Sequence, residues 1–244
     1  MGCLRTRSLL VVALVATFLG VLAPAAAAGT ILVAAGQTAD GRDVSGTADV
    51  TIAAGQVTIT LTNTTGTTYT AGELLTGFRF DIAGVSSLSL SAATTPNGRT
   101  VASNGTFSDT AGSVNLLTAK SGNKATWQVG AHGSGFQLDF NPDAKYGILG
   151  GPTGGDYTAA NGSIKGNNGH NPFANGSATF TLSSSAIGAD ASFSGAVFLF
   201  GTDFATELPT AIVPLPLAAW SGLLLLGGLA AARRRRRRDR PAAG

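Results

Sequence analysis

Alternation of apolar and polar residues is the strongest regular signal in this chain. Val57-Thr58-Ile59-Thr60-Leu61-Thr62 alternates without a break. In a strand, successive side chains point to opposite faces, so Val57, Ile59 and Leu61 share the buried one. Val50-Thr51-Ile52 continues the pattern, and Ala53-Ala54-Gly55-Gln56 joins the two as a hairpin. Asn63-Thr64-Thr65-Gly66 ends the strand with turn chemistry. The pattern recurs in Phe78-Arg79-Phe80-Asp81-Ile82, in Ser87-Leu88-Ser89-Leu90-Ser91 and in Ala178-Thr179-Phe180-Thr181-Leu182. Lys124 to Val129 and Phe136 to Phe140 flank a Gly-rich connection, and Thr94 to Gly98 forms a turn. Ala196-Val197-Phe198-Leu199-Phe200 is a nearly continuous apolar run, fit for a central strand buried on both sides.

Helical periodicity is missing from this body, which is rich in Gly, Thr, Ser, Ala and Asn. Many short strands between turn signals predict an all-β fold, an antiparallel β-sandwich with a β-barrel as the alternative. No internal repeat of fixed period appears. A long stretch from Tyr146 to Gly176 is dominated by Gly, Asn, Pro and Ser. Loops of that length are expected to be binding loops or mobile ones.

The two ends follow different patterns. Arg5 and Arg7 precede an apolar core, Leu9 to Leu22, and the small residues Ala25 to Ala28 follow it. This is the layout of a secretory signal peptide, residues 1–28, cut by signal peptidase. Cys3, the single cysteine, precedes the apolar core and leaves with that segment. The mature chain then has no thiol, which excludes disulfides, cysteine catalysis and cysteine metal sites. Export without disulfides fits a bacterial envelope.

At the C-terminus stand, in order, Val213-Pro214-Leu215-Pro216, an apolar run over 217–232, and Arg233, Arg234, Arg235, Arg236, Arg237 and Arg238. The run is predicted to be a transmembrane helix that starts after the prolines. Arginine crosses a bilayer only at large cost, so residues 233–244 stay cytoplasmic and the body lies outside. The predicted extracytoplasmic domain covers 29–207, and 208–216 is a linker carrying the proline motif.

This tripartite tail resembles the PEP-CTERM sorting signal of exosortase substrates, in its Val-Pro-Leu-Pro variant. Leucine stands where the commoner form has glutamate. Segments of the body add to the resemblance: Leu61-Thr62-Asn63-Thr64, Leu75 to Asp81, His170-Asn171-Pro172-Phe173 and Phe198 to Thr202 are similar to segments of some exosortase-dependent surface proteins. The resemblance implies a sorted surface protein, first anchored in the inner membrane and then placed at the cell surface or outside. Its partner would be an exosortase-like membrane protease, and its setting an exopolysaccharide matrix. Two other readings of the tail stay open: a permanent single-pass anchor, and a sortase site at Leu208-Pro209-Thr210-Ala211, which lacks the usual glycine.

Charge changes once the ends are set aside. The whole chain is formally +3, but nine of its sixteen basic residues lie in the two end segments. The body keeps seven basic residues against twelve acids, a net of −5. Nucleic-acid binding needs a basic face, and no basic cluster exists there.

Candidate chemistry is sparse. His132 and Ser134 stand together in a Gly-rich segment, without the Gly-x-Ser-x-Gly of a nucleophile elbow. His170 is read as a turn histidine whose ring bonds the backbone. Asp40, Asp43, Asp139, Asp143 and Asp156 offer hard oxygens for calcium, without the spacing of a known loop. A glycosidase needs paired carboxylates, and the body has two glutamates, Glu73 and Glu207. Trp127 and Tyr157 are candidate sugar platforms if exposed, and Trp127 is equally a core residue. Asn63, Asn104, Asn161 and Asn175 open Asn-x-Ser/Thr sequons. None of this points to a catalytic site, a cofactor or a metal. The expectation is a non-enzymatic surface protein, with a polysaccharide- or calcium-binding module as the alternative and a secreted hydrolase as a third.

Overall fold

A computed structural model describes residues 29–121, 124–140, 145–152 and 154–213. The predicted signal peptide (1–28), the membrane helix (217–232), Pro214, Leu215, Pro216, Asp143 and Arg233 to Arg238 lie outside the described residues. Among the described residues no helix is long and apolar enough to cross a membrane.

The strands in chain order are β1 (Gly29–Gln37), β2 (Asp43–Ala53), β3 (Gln56–Asn63), β4 (Leu75–Ile82), β5 (Ser89–Thr95), β6 (Gly98–Val101), β7 (Phe107–Asp109), β8 (Val114–Asn115), β9 (Lys120–Ser121), β10 (Lys124–Ala125), β11 (Trp127–His132), β12 (Gly135–Phe140), β13 (Ile148–Leu149), β14 (Phe173–Asn175), β15 (Ser177–Ser183), β16 (Phe193–Phe200), β17 (Thr206–Pro209) and β18 (Ala211–Val213). The fold is all-β. One sheet runs β18-β1-β2-β3-β15-β5-β8. The other runs β11-β12-β4-β13-β14-β6-β7, and β16 joins β4 to β17. All pairs in these two sheets are antiparallel except β13 with β14, and the sheets curve into a half-barrel.

The alternating segments lie as expected. Along β2 and β3 every second residue is buried, Val57, Ile59 and Leu61 completely. Ala53 pairs with Gln56 across the turn, where Gly55 takes φ 79°, a conformation that suits glycine. The apolar run over 196–200 forms the inner part of β16, bonded to β4 on one side and β17 on the other. Two segments deviate. The strand near Leu88 starts at Ser89 and runs on to Thr95, with a register shift opposite Thr181 and Leu182. The segment from Lys124 breaks at Thr126, whose buried hydroxyl donates 2.7 Å to the Leu116 carbonyl.

The inner faces of the two sheets share one core. Trp127 from β11 meets Phe180 from β15 with ring centroids 4.6 Å apart. Phe78 and Phe80 of β4 stack with Phe193 and Phe198 of β16 at 5.0–6.2 Å. Gly46 of β2 lies under the Phe198 ring; a Cβ there would approach Cδ1 to 3.1 Å. Burying one such aromatic contributes about 1.5–3 kcal/mol of transfer free energy.

The stretch between Tyr146 and Gly176 closes one end of the molecule. It is a run of turns, mostly exposed, anchored by a few buried side chains. Tyr157, Ala160, Ile164 and Phe173 form a second apolar cluster with Leu74, Val101 and Leu149.

Candidate functional site

Three regions bear on function: the corner where the chain leaves the fold, the outer face of the β1–β3–β15 sheet, and the closed end.

The corner is built by both ends of the body. Val213 lies opposite Ile31, Ile212 opposite Leu32 and Ala211 opposite Val33. The strand that begins at Gly29 is thus the partner of the strand that ends at Val213. The preceding strand, β17, belongs to the other sheet, where Glu207 pairs with Leu199 and Leu208 with Phe198. The chain changes sheets at Thr210, whose amide donates 3.0 Å to the Ala196 carbonyl. Leu208 packs so closely on Gly36 that a Cβ there would lie 2.6 Å from Leu208 Cδ2. Residues 208–213, expected as linker, are therefore strand-paired, and ordered pairing continues past Glu207 to Val213. Val213 is the one residue of the proline motif that the structure describes.

The outer face of the first sheet is a hydroxyl array. Thr58, Thr60 and Thr62 point outward from β3, opposite Thr51, Asp49 and Thr47 on β2 and Thr181, Thr179 and Ser177 on β15. The hydroxyls of Thr60 and Thr179 lie 3.0 Å apart. Strands sit about 4.8 Å apart and alternate residues about 6.8 Å apart, so the array is a near-regular grid. Asp49 is its one charge among these rows. The β-branched side chains suit the strand, and their hydroxyls add neutral donor and acceptor sites.

The closed end is held by side-chain amides and one ion pair. Asn63 donates 3.0 Å to the Glu73 carbonyl and 2.9 Å to the Ile148 carbonyl, and accepts from the Thr65 amide. Asn171 accepts from the Val101 amide at 2.8 Å and donates to the Val101 carbonyl at 3.1 Å, as a strand neighbour would. Arg99 donates twice to Asp109, each bond 2.7 Å, and lies 3.9 Å over the Phe107 ring. These bonds hold the Asp109 carboxyl below its ordinary pKa. The Tyr157 hydroxyl donates 2.8 Å to the Gly150 carbonyl, and burial pushes its pKa up.

The sequence candidates scatter. Trp127 and Tyr157 are both buried, so neither is a sugar platform; the indole amine donates 3.0 Å to the Tyr146 carbonyl. Glu73 accepts the Tyr69 and Thr70 amides at 2.6 and 2.7 Å, while Glu207 pairs with Arg79 at 2.6 Å. Both glutamates have structural partners and lie in different settings. Of the five candidate calcium ligands four are described: Asp40 binds Thr38, Asp43 accepts from Gln37, Asp139 from Gln137 and Asp156 from Thr158. No group of three or more metal-binding side chains converges among the described residues. Asn63 is buried and engaged, whereas Asn104 and Asn161 are exposed, each folding back on its own sequon in a local turn.

The two histidines differ. His132 is exposed at the end of β11. Ser134, by contrast, lines a shallow cleft with Asp81 and Ser194. His170 was expected to bond the backbone through its ring. Instead its Nδ1 is buried without a partner among the described residues, and burial lowers its pKa.

Sequence reading did not find Asp81 as a candidate. It lies between two glycines of other strands, Gly135 and Gly195; a Cβ on Gly195 would come 2.6 Å from its Oδ2. The three residues come from β4, β12 and β16, a juxtaposition without a local signal. The Arg99–Asp109 pair was missed as well, although a strand–turn–strand reading of 98–109 would have placed it.

Comparisons with protein families, curated proteins and solved structures return no match to this chain.

Proposed function

We propose that this chain is an exported surface or extracellular-matrix protein, sorted by an exosortase-like membrane protease and structural within an exopolysaccharide matrix. The observation that carries this is the order of elements in the tail: Val213 to Pro216, then the apolar run 217–232, then Arg233 to Arg238. Behind a signal peptide that order orients the body outward and holds the motif at the membrane. The paired β1 and β18 support the reading, because Gly29 and Val213, the described residues next to the two predicted cleavage regions, belong to neighbouring strands. In finer detail, we take the two sheets as the halves of a sandwich, whose core is closed by the Trp127–Phe180 contact.

The protein is not an enzyme in this reading. What supports this is that, among the described residues, Glu73 accepts the Tyr69 and Thr70 amides and Glu207 pairs with Arg79. Intact mass of the protein from the native host's envelope and medium tests the proposal. A mass ending near Pro216 and lacking the arginines is expected, and any excess identifies an attached group. A mass running to Gly244 in the membrane fraction makes the protein a plain anchored one.

The hydroxyl grid favours one second reading, a module that binds an uncharged polysaccharide. Neutral rows of hydroxyls and methyls suit a neutral, hydroxyl-rich chain, although no buried aromatic contributes to stacking. Calorimetry with neutral glycans separates this from an inert matrix component.

A further inference from the structure

The outer face of the first sheet ends in a groove. Gln37 pairs with Asp43 and Ala35 with Ser45 across β1 and β2, and these side chains face outward, as those of Thr47 and Asp49 do. Beyond β3 the turn at Thr65 and Gly66 makes the opposite wall. The groove consists of two adjoining clefts of about 420 and about 340 Å³, with Asp43, Thr65 and Gly66 common to both. Each lies within the range of about 300–1,000 Å³ usual for ligand pockets. The first cleft reaches Gln37 and Ser45, and the second reaches Arg42, Tyr69 and Glu73. All of these residues are described, and Gln37 stands at the opposite end of β1 from Gly29 and from the Ile31–Val213 pair.

The walls are tied to one another. The Ser45 amide donates 3.1 Å to the Thr65 hydroxyl, and the Thr64 amide donates 2.9 Å to the Ser45 carbonyl. The turn that carries Arg42 is closed by the Thr38 amide on the Arg42 carbonyl at 2.8 Å, with Gly41 at φ 78°. Tyr69 is held through its backbone: its amide donates 2.6 Å to Glu73, and its carbonyl accepts the Asn161 amide at 2.8 Å. The Arg42 guanidinium lies 5.0 Å over the Tyr69 ring, within cation–π reach. A site whose parts are already fixed loses less freedom on binding.

The groups in the groove keep hydrogen-bonding capacity. Arg42 meets Asp40 through Nε at 3.5 Å, which leaves the donors of its terminal nitrogens, and its side chain is 41% exposed. Gln37 gives an amide hydrogen to Asp43 at 2.9 Å, which leaves the Gln37 carbonyl and the second carboxylate oxygen as acceptors. Donors and acceptors thus stand side by side. A hydroxyl both donates and accepts, so a row of hydroxyls fits them. Charge selects further: Asp40, Asp43 and Glu73 outnumber Arg42 here, which disfavours an anion. The Arg42–Tyr69 stack, half-buried, adds a flat surface for the apolar face of a sugar ring.

We propose that this groove binds a linear, uncharged polysaccharide, with Gln37 and Asp43 holding one sugar unit and Arg42 and Tyr69 the next. The proposal rests on the polysaccharide-binding reading above and moves the grip from the hydroxyl grid to the groove at its end. It does not depend on the sorting signal.

The test is calorimetry on the protein recovered from its native host. The probes are β-linked pentamers of glucose, mannose and galactose, with a uronate pentamer as the charged comparison. Arg42→Ala and Gln37→Ala are each expected to weaken binding of the neutral pentamer about tenfold at an unchanged melting temperature, as the loss of one or two well-placed hydrogen bonds implies. Thr60→Lys, on the grid, is expected to bind as the wild type does. Loss of binding in Thr60→Lys overturns the groove and leaves the polysaccharide reading standing on the grid. No loss in either groove variant also overturns it, and loss in only one overturns the two-unit site. Tighter binding of the uronate overturns the uncharged ligand. A wild type that binds none of the probes overturns both the groove and the polysaccharide reading.

Discussion

In β2 and β3 the backbone bonds to itself in one continuous ladder, whereas between Gly150 and Phe173 it bonds partly to itself in short turns and partly to side chains. The first buries every second residue, whereas the second buries Tyr157, Ala160, Ile164 and Phe173 and leaves most of their neighbours exposed. In the sheet, eight consecutive pairs from Gly46–Asn63 to Ala53–Gln56 satisfy the main chain. In the closed end, no ladder of comparable length exists. Asn63, Thr68 and Asn171 reach over to carbonyls and amides far away in sequence, with Thr68 accepting the Gly150 amide at 3.1 Å, and Tyr157 reaches back to the Gly150 carbonyl. Every buried backbone group needs a partner. A polar, Gly-rich segment can therefore be as fixed as a strand, provided that its amides and hydroxyls are placed for it. The difference lies in where a failure would spread.

The largest effect is expected from the core that both regions share. Phe180 is completely buried against Trp127. Phe180→Ala should cost about 3–5 kcal/mol by loss of transfer free energy and creation of a cavity. Urea unfolding should show a lower midpoint in one transition, with hydrogen-exchange protection lost in sheet and closed end together. Two separate transitions would mean that the regions are independent units and would break the comparison at its base.

Asn171→Ala sharpens it. The substitution leaves the buried Val101 amide without its partner, at about 1–3 kcal/mol, while the Val101 carbonyl keeps the Gly166 amide at 3.0 Å. Hydrogen exchange should quicken over residues 154–175 and in β6, while β2 and β3 keep their protection. Equal acceleration in β3 would show that the amide clamp supports the whole fold.

Legibility in the sequence follows the same division. Thr58, Thr60 and Thr62 announce their strand because the pattern is local: each residue's neighbours two positions away report the same face. β1 has no such alternation, and its Gly-Thr-Ile-Leu-Val-Ala-Ala-Gly-Gln is ordered by β2 and β18. The pieces β13, β14, β17 and β18 are two to four residues long, too short for a period, and their registers are set by distant partners. Nothing local decides the burial of Tyr157, whose neighbours include Gly and Asp; Arg99, Phe107 and Gly150, from other segments or further along the chain, contact it. The proline motif is read from sequence alone, apart from Val213. That its first residue ends a paired strand was not legible, since only the register with Ile31 shows it.

The acid limb of stability gives a smaller effect. The hydrogen bonds from Arg99 lower the Asp109 pKa in the folded state. Asp109 thus favours folding above its unfolded pKa of about 3.9, and the contribution is lost as pH falls through the lower folded value. Between about pH 4 and pH 2 the melting temperature of Asp109→Asn should fall less steeply than that of the wild type. His170 acts at higher pH. Its folded pKa is also depressed, by burial, so stability is full while both states are neutral and declines as pH drops below about 6.5. His170→Gln should flatten the curve there. An unaltered slope in both variants would place the acid sensitivity elsewhere than the closed end.

The smallest effect should come from the hydroxyl grid, and there the location of a threonine decides the outcome. Thr60 is partly exposed, and its hydroxyl faces Thr179 at 3.0 Å with water within reach. Thr60→Val keeps the β-branch and strand propensity, so its stability should stay within about 0.5 kcal/mol of the wild type. Thr76 is completely buried in β4, and its hydroxyl donates 2.6 Å to the Gly201 carbonyl. Thr76→Val removes a buried hydrogen bond and leaves that carbonyl with the Phe204 amide alone, which should cost about 1 kcal/mol. The same chemical change thus separates a hydroxyl retained for the fold from one that the fold does not need. If Thr60→Val proves neutral while Thr60→Lys abolishes binding to a neutral glycan, the grid's chemistry faces outward, toward a ligand. If both are neutral in stability and binding, threonine is there only because it suits a strand.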